Sequence, residues 1–575
     1  MNPKTKVIIA IVIFIFSSFI LFFDIFGHSG EWESYDIRTH IFSLSLFYQS
    51  IKRGEFFVRW VEGFNNYGYP LGQIAHQVPA YVGGILNFIT QDPVISYKIL
   101  FFLADFATVF TLFLFLNNFF PFNISILSVL FYQFSAYRIF NIYVRSALPE
   151  FLSYFFFFLV CLYILKIYKY GLSKKYLVVT SLSFSLLFLT HPFSIVLYQL
   201  VFVYIFLYLA LNLKLKEKLL FGLAVVIPFV LGLLLSSYYL LPLKLEKKYF
   251  YSGTTPASIE KAHFRSVDKI LFVEHWSYSA PEGSSVREDF VQIGFWESLV
   301  FLSFILFTLY SIFVKSKKRI RHLLLVFFGF LTLFFISPQS MYLYNSIPVL
   351  AEIQHPWRLI GIFELFVCFM FATLLFEIRM QKYRVFNIIK ALTLIIFISS
   401  FLFYRSSQLY VKNVVDNDKS FYEFTEENLH SINMSPVWSG KGEDYPKVNN
   451  KLAVIEGSAN ILFSDVKKFN NHIYKVKVIS DKARFVDHTF YFPGWIVYAN
   501  ESPINIEFQD PNYRGLITFI LKKGNYDIQV VYQETKVRSM ANYISLVSLL
   551  FLLGISFFPS KLYRRYFKFI YNRSF

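Results

Sequence analysis

Long apolar runs, separated by short polar segments rich in Lys and Arg, fill the first 404 positions. The first extends from Val7 to Phe23 behind Lys4 and Lys6, long enough to cross a hydrocarbon core of ~30 Å. No small-residue cleavage pattern follows it, so it reads as a retained helix and not as a removed signal. Further spans are predicted at about 94–116, 121–140, 147–168, 176–190, 194–213, 219–241, 294–314, 322–337, 357–378, 386–404 and 540–559, which makes about twelve in all. The stretch Ile74 to Ile89 is also apolar. Counting it as a span would invert every later loop, so it reads as a re-entrant or interfacial helix.

The basic residues decide the orientation. With the N-terminus in the cytoplasm, one side receives Lys166 to Lys175, Lys214 to Lys218, Lys315 to Arg321, Arg379 to Arg384, and the tail from Lys561 to Arg573. Gathering these clusters on the cytoplasmic side is what the positive-inside rule requires. Lys52, Arg53, Lys244, Lys247 and Lys248 fall on the other side, in long loops where that rule is weak. Between 405 and 538 the pattern changes to short alternating stretches with Gly and Asn turns. Ile473–Ile479, Arg484–Phe490, Ile504–Phe508, Leu516–Leu521 and Tyr526–Tyr532 read as antiparallel strands. The expected organisation is a polytopic α-helical domain at 1–404 with an external loop at 27–93, an extracytoplasmic β-sandwich-like domain at 405–538, and a last helix with a basic cytoplasmic tail at 539–575.

Composition supports this class. Of the residues 56% are hydrophobic and only 16% charged, with 74 Phe and 40 Tyr, too little polar surface for a water-soluble chain of this length. The net charge of +18 could suggest nucleic acid, but the Lys and Arg punctuate apolar runs instead of forming a soluble basic face, so no nucleic-acid partner is expected. Cys161 and Cys368 both sit in apolar runs, which gives no disulfide framework. The chain has no G-x-x-x-x-G-K-[ST], Rossmann, H-E-x-x-H or G-x-S-x-G motif, which disfavours the chemistries built on those templates.

Candidate chemistry concentrates in the external loop. Asp36 and His40 share one face if helical, and could hold a metal, a proton or a substrate hydroxyl; the same pair could equally cap or solubilise an interfacial helix. Arg59-Trp60 could anchor the loop at the headgroups, or grip a lipid-linked phosphate through a guanidinium fork. Gly68-Tyr69-Pro70 is a turn. A second set lies at helix ends on the same side: Arg138, Arg145 and Glu150, then His191, then Gln354-His355-Pro356-Trp357-Arg358. Several costly ionisable groups on one face suggest a site, although Arg145 and Glu150 could simply neutralise each other. Asp105, mid-span, faces either a polar cavity or a helix neighbour.

Taken in order, Asp36-x-x-x-His40, Gly54 through Arg59-Trp60, Gly68-Tyr69-Pro70, Tyr137-Arg138, Arg145-Ser146-Ala147-Leu148-Pro149-Glu150, Gln354-x-Pro356-Trp357-Arg358 and Phe492-Pro493-Gly494-Trp495 form a set spread over nearly the whole chain. The set resembles bacterial membrane proteins labelled 6-pyruvoyl-tetrahydropterin synthase-related, which are similar to YfhO-like proteins and, more distantly, to GT-C glycosyltransferases. His355 departs from that pattern, standing where an aromatic or apolar residue is usual. The resemblance implies a GT-C architecture whose first external loop carries an essential acid, here Asp36, and a polyprenyl-phosphate sugar donor used at the outer membrane face. The implied acceptor is an extracytoplasmic glycan, lipid or protein. On that basis Asp36 would act as general base or orient a divalent ion such as Mg or Mn, with His40 assisting or binding the same ion. Arg59, Arg145 and Arg358 would bind the donor phosphate, supported by Trp60, Tyr69, Arg138, Glu150, His191, Gln354 and Trp357. Trp495 and Tyr491 either hold an acceptor glycan or form the β-domain core. A lipid-linked-glycan transporter and a non-catalytic polymer-binding membrane protein are the competing functional classes.

Overall fold

A computed structural model describes residues 2–32, 34–63, 65–251, 264–271, 292–381, 411–412, 435–440 and 445–558. The first helix, α1 (Pro3–Gly27), begins where Asn2 Oδ1 accepts the Lys4 amide at 3.1 Å, with Pro3 in the first turn, where its missing N–H is no loss. It is followed by α2 (Ile37–Lys52), α3 (Gln77–Thr90), α4 (Pro93–Leu116), α5 (Phe122–Gln133) and α6 (Ala136–Phe140), the last running into a π turn at Asn141–Arg145. Then come α7 (Leu148–Tyr170), α8 (Lys174–Thr190), α9 (Ser194–Ala210), α10 (Leu215–Leu235), α11 (Ser237–Leu245), α12 (Phe295–Phe313), α13 (Arg319–Ile336), α14 (Ile360–Gln381) and, after the β domain, α15 (Lys536–Phe557).

Eight of these are long and apolar enough to cross a membrane: α1, α4, α7, α10, α12, α13, α14 together with the turn before it, and α15. The protein is therefore a multi-pass membrane protein. Three expected spans are shorter. Helices α5 and α9 are apolar helices below full spanning length, and α8 has 17 residues. The expected span at 386–404 and the basic tail from Lys561 lie outside the described residues.

The run predicted at 121–140 breaks because a side chain from elsewhere intervenes. At Ser135 the chain leaves α5 and restarts as α6, where Glu364 of α14 accepts the Ser135 hydroxyl at 2.5 Å and the Tyr137 amide at 2.8 Å. Helix α3 takes up most of the apolar stretch Ile74 to Ile89. At 14 residues it rises ~21 Å, short of a bilayer core. It exposes Val82, Ile85, Phe88 and Ile89, and turns Ala80, Gly83 and Gly84 inward. The glycines let α2 approach: a Cβ on Gly84 would stand 3.0 Å from the Tyr48 amide nitrogen.

A two-stranded ribbon pairs β1 (Glu31–Trp32) with β2 (Val411–Lys412). The remaining strands, β3 (Leu452–Glu456), β4 (Ala459–Lys468), β5 (Asn471–Phe490), β6 (Trp495–Ala499), β7 (Ser502–Ile504) and β8 (Leu516–Tyr532), form one antiparallel sheet ordered β3-β5-β8-β6-β7, with β4 also on β5. Where a sandwich was expected, pairing runs continuously through a single sheet. The reason is that Ile473–Ile479 and Arg484–Phe490 belong to one strand, as do Leu516–Leu521 and Tyr526–Tyr532, with only a pairing irregularity between Val478 and Lys482. The apolar side of this sheet, including Phe485, Val497, Phe519 and Val530, shares its core with Trp60, Val61 and Tyr69. Part of the 27–93 loop is thereby packed into the β domain, while Trp32, Ile37, Ile41 and Leu44 join the core of the helical bundle.

Candidate functional site

The site forms where the chain entering α2 meets the π turn. Main-chain hydrogen bonds run from the Tyr35 amide to the Val144 carbonyl (3.0 Å) and from the Asp36 amide to the Arg145 carbonyl (2.9 Å). The turn closes at Ser146, held in the left-handed region at φ 53°, with its carbonyl taking the Tyr97 hydroxyl at 2.6 Å. Such π turns commonly re-aim side chains at functional positions. Here Arg145 projects toward Glu150 in the first turn of α7, where a carboxylate is favoured by the helix dipole.

Glu150 is the hub. Its Oε2 accepts from Arg145 at 2.8 Å and lies 3.6 Å from Arg358 Nε. Its Oε1 accepts from the Tyr137 hydroxyl at 2.8 Å and from Asn141 Nδ2 at 3.3 Å. Arg145 also donates to Asn141 Oδ1 at 2.7 Å and lies over the Trp357 ring, 5.0 Å from its centroid. Asp36 Oδ2 stands 3.8 Å from Arg145, with 42% of its side chain exposed, whereas Glu150 and both arginines are buried. Arg358 gives one N–H to the Ile353 carbonyl at 3.3 Å, and its Nε has no hydrogen-bond partner among the described residues. The set is thus two guanidiniums against two carboxylates, one carboxylate sealed and the other at the opening.

Charges tune one another here. Burial raises the Asp36 pKa, and Arg145 and Arg358 oppose that rise. For Arg145, burial works against the charge, but Glu150 and its other neighbours outweigh it and hold the guanidinium protonated. His40 and His76 are each lowered to about 3, first by burial and then by nearby cations or histidines, and His191 is driven well below its usual value for the same reasons. Burial thus favours the neutral form of all three rings. His40 and His76 lie 6.1 Å apart between centroids, His76 stacks on His191 at 5.0 Å, and His191 Nδ1 meets Ser194 Oγ at 2.8 Å.

Asp36, Arg145, Glu150, Trp357 and Arg358 therefore converge, with His40 and His191 on the adjoining wall. Gln354 is exposed in a left-handed turn (φ 63°) that leads into the Pro356–Leu359 helical turn. Four expected members lie elsewhere. Arg138 pairs with Asp105 at 2.5 Å, and Asp105 also accepts from Ser18 and Gln133, so the mid-span acid has a helix partner. Arg59 donates to Glu534, Asn542 and the Tyr238 carbonyl, all at 3.0–3.1 Å, and so joins the loop to α11 and α15. Trp60 sits between Trp495 and Tyr532, each at 5.1 Å, and Tyr69 packs against Phe42. The partners of Arg59 and Trp60 lie hundreds of positions away, which local spacing does not reveal. Trp495 is core, and Tyr491 stacks face to face on Phe508 at 3.8 Å.

Among the described residues no three His, Cys, Asp or Glu side chains are grouped as ligands for a metal ion. Asp36 and His40 have no third His, Cys, Asp or Glu ligand among the described residues, so a Mg or Mn ion held there would take its other ligands from substrate phosphate and water. Sequence reasoning missed His76 and Asn141. His76 offered one signal, a polar ring opening an apolar helix. Compared with protein-family models and with curated proteins, the chain matches none.

Proposed function

We propose that the protein is a membrane glycosyltransferase of the GT-C type, moving a sugar from a polyprenyl-phosphate donor to a hydroxyl of an extracytoplasmic acceptor, with both termini cytoplasmic and the β domain outside. The observation that carries this reading is the half-exposed Asp36 carboxylate 3.8 Å from Arg145, at the mouth of a buried two-arginine cluster. In the reaction, the acceptor oxygen forms a bond to the anomeric carbon while the bond from that carbon to the phosphate oxygen breaks. Asp36 takes the hydroxyl proton. The departing phosphate keeps the electron pair and is met by Arg145 and Arg358, preorganised cations in a water-poor wall. Glu150 and Asn141 fix the Arg145 fork, and Trp357 supports its face.

The reading is tested with the purified full chain and radiolabelled polyprenyl-phosphate sugars. Asp36→Asn is expected to lower transfer by about 10²-fold or more, the usual contribution of a positioned base, without loss of expression. Absence of both transfer and donor hydrolysis with every sugar tried would overturn it. A lipid-linked-glycan transporter is the second reading, favoured by the buried Asp105–Arg138 pair. It expects translocation into vesicles that survives Asp36→Asn and is lost in Arg138→Gln.

A further inference from the structure

Beside the charged cluster lies a cavity of about 90 Å³ between α2, α3 and the start of α7. Its polar lining is uncharged: Thr39 and Ser43 on α2, and the neutral rings of His40 and His76. Ile74 and Pro149 are among its apolar lining. A wall mixing hydroxyls, imidazoles and apolar carbons complements a molecule with O–H groups around C–H faces, the build of a pyranose ring.

His76 adds the decisive feature. Although it opens α3, its side chain makes no capping hydrogen bond. The Thr190 carbonyl faces the ring, and a carbonyl pairs only with a ring N–H. Nδ1 is buried with no hydrogen-bond partner among the described residues. Both facts agree with a tautomer protonated on Nε2, leaving Nδ1 as an open lone pair. Stacking on His191 at 11° between planes holds the ring in place. A buried acceptor left open is costly, and a ligand hydroxyl would recover that cost.

We propose that this cavity is a hydroxyl-binding subsite for a sugar ring, with His76 Nδ1 accepting one ligand O–H. It rests on the glycosyltransferase reading in being the acceptor's place: phosphate meets the charged wall, and hydroxyls meet the neutral one.

The test uses saturation-transfer NMR of methyl hexosides with the full chain in detergent. Wild type is expected to bind them saturably. His76→Phe keeps an aromatic ring against His191, removes the lone pair, and is expected to weaken binding at least 5-fold. Ser43→Trp, which fills the cavity from α2, is expected to abolish it. In the transfer assay His76→Phe is expected to raise the acceptor KM with little change in donor hydrolysis. Saturable binding without any transfer would sink the glycosyltransferase reading and leave the subsite standing. Transfer with an acceptor KM unmoved by His76→Phe, or hexoside binding indifferent to both variants, would overturn the subsite.

Discussion

Glu150 keeps two guanidiniums from repelling each other in a buried wall, so its neutral isostere is more disruptive than its size suggests. Glu150→Gln preserves the shape but leaves Arg145 and Arg358 with one shared anion, the half-exposed Asp36. Breaking a buried pair in this way typically costs about 3–5 kcal/mol, so thermal unfolding of the detergent-solubilised variant is expected to fall by several degrees, with transfer lost. An unchanged midpoint would mean that the arginines do not depend on this carboxylate. Asp487 in the β domain makes a separate, pH-dependent statement. Burial raises its pKa, but His472 at 3.0 Å, Lys451 and Thr489 outweigh burial and bring it below the usual carboxylate value. The folded state therefore binds this proton less readily than the unfolded chain. Its stabilisation is present above about pH 4, the unfolded value, and is lost as pH falls through the lower folded value. Emission of the neighbouring Trp495, followed through acid titration of the full chain, is expected to show a β-domain transition that flattens in Asp487→Asn.

At the scale of elements, close contacts around α14 set the site's tolerance. A Cβ on Gly361 would fall 2.4 Å from the Tyr154 hydroxyl and 2.8 Å from the Tyr137 ring, the same Tyr137 that donates to Glu150. Gly361→Ala is expected to destabilise by about 1–3 kcal/mol through overpacking and to reduce transfer by tilting Tyr137, read from unfolding and initial rates in one preparation. Helices of strong apolar character were legible from hydropathy alone, because α1, α4 and α7 need only length and composition. The division of 121–140 into α5, α6 and a π turn was not legible, since its cause is Glu364, more than two hundred positions away. Likewise the convergence of Asp36 with Arg145 depends on the main-chain pairing of Tyr35 and Asp36 with the π turn, which leaves no mark in residue spacing. The residue types and part of their grouping were readable, and the individual contacts were not. Arg59 shows the converse: a guanidinium suited to phosphate is held by Glu534 and Asn542.

For the whole molecule, the contacts between loop, bundle and sheet make one mechanical body. Arg538, buried at the start of α15, donates to Glu246 at 2.9 Å and to the Pro493 carbonyl at 2.5 Å, while Glu55 accepts the Phe469 amide and the Tyr67 carbonyl takes the Phe490 amide. Glu246→Gln strands a buried guanidinium, with an expected cost of about 3–5 kcal/mol. Calorimetry of that variant is expected to split a single transition into separate β-domain and bundle steps. The proposed orientation is checked by impermeant thiol labelling on a chain freed of Cys161 and Cys368. A cysteine at Lys482 should react from outside intact cells, and one at Lys175 only after permeabilisation.

Helix α3 has two employers. Val82, Ile85, Phe88 and Ile89 face outward, while Pro79 and Ala80 on the same short rod line the cavity. With the outward residues in lipid, any force that lifts, sinks or rocks the rod in the headgroup layer changes the width of that chamber. Under the proposed subsite, acyl-chain length and lateral pressure are expected to become inputs to sugar selection, with no second ligand involved.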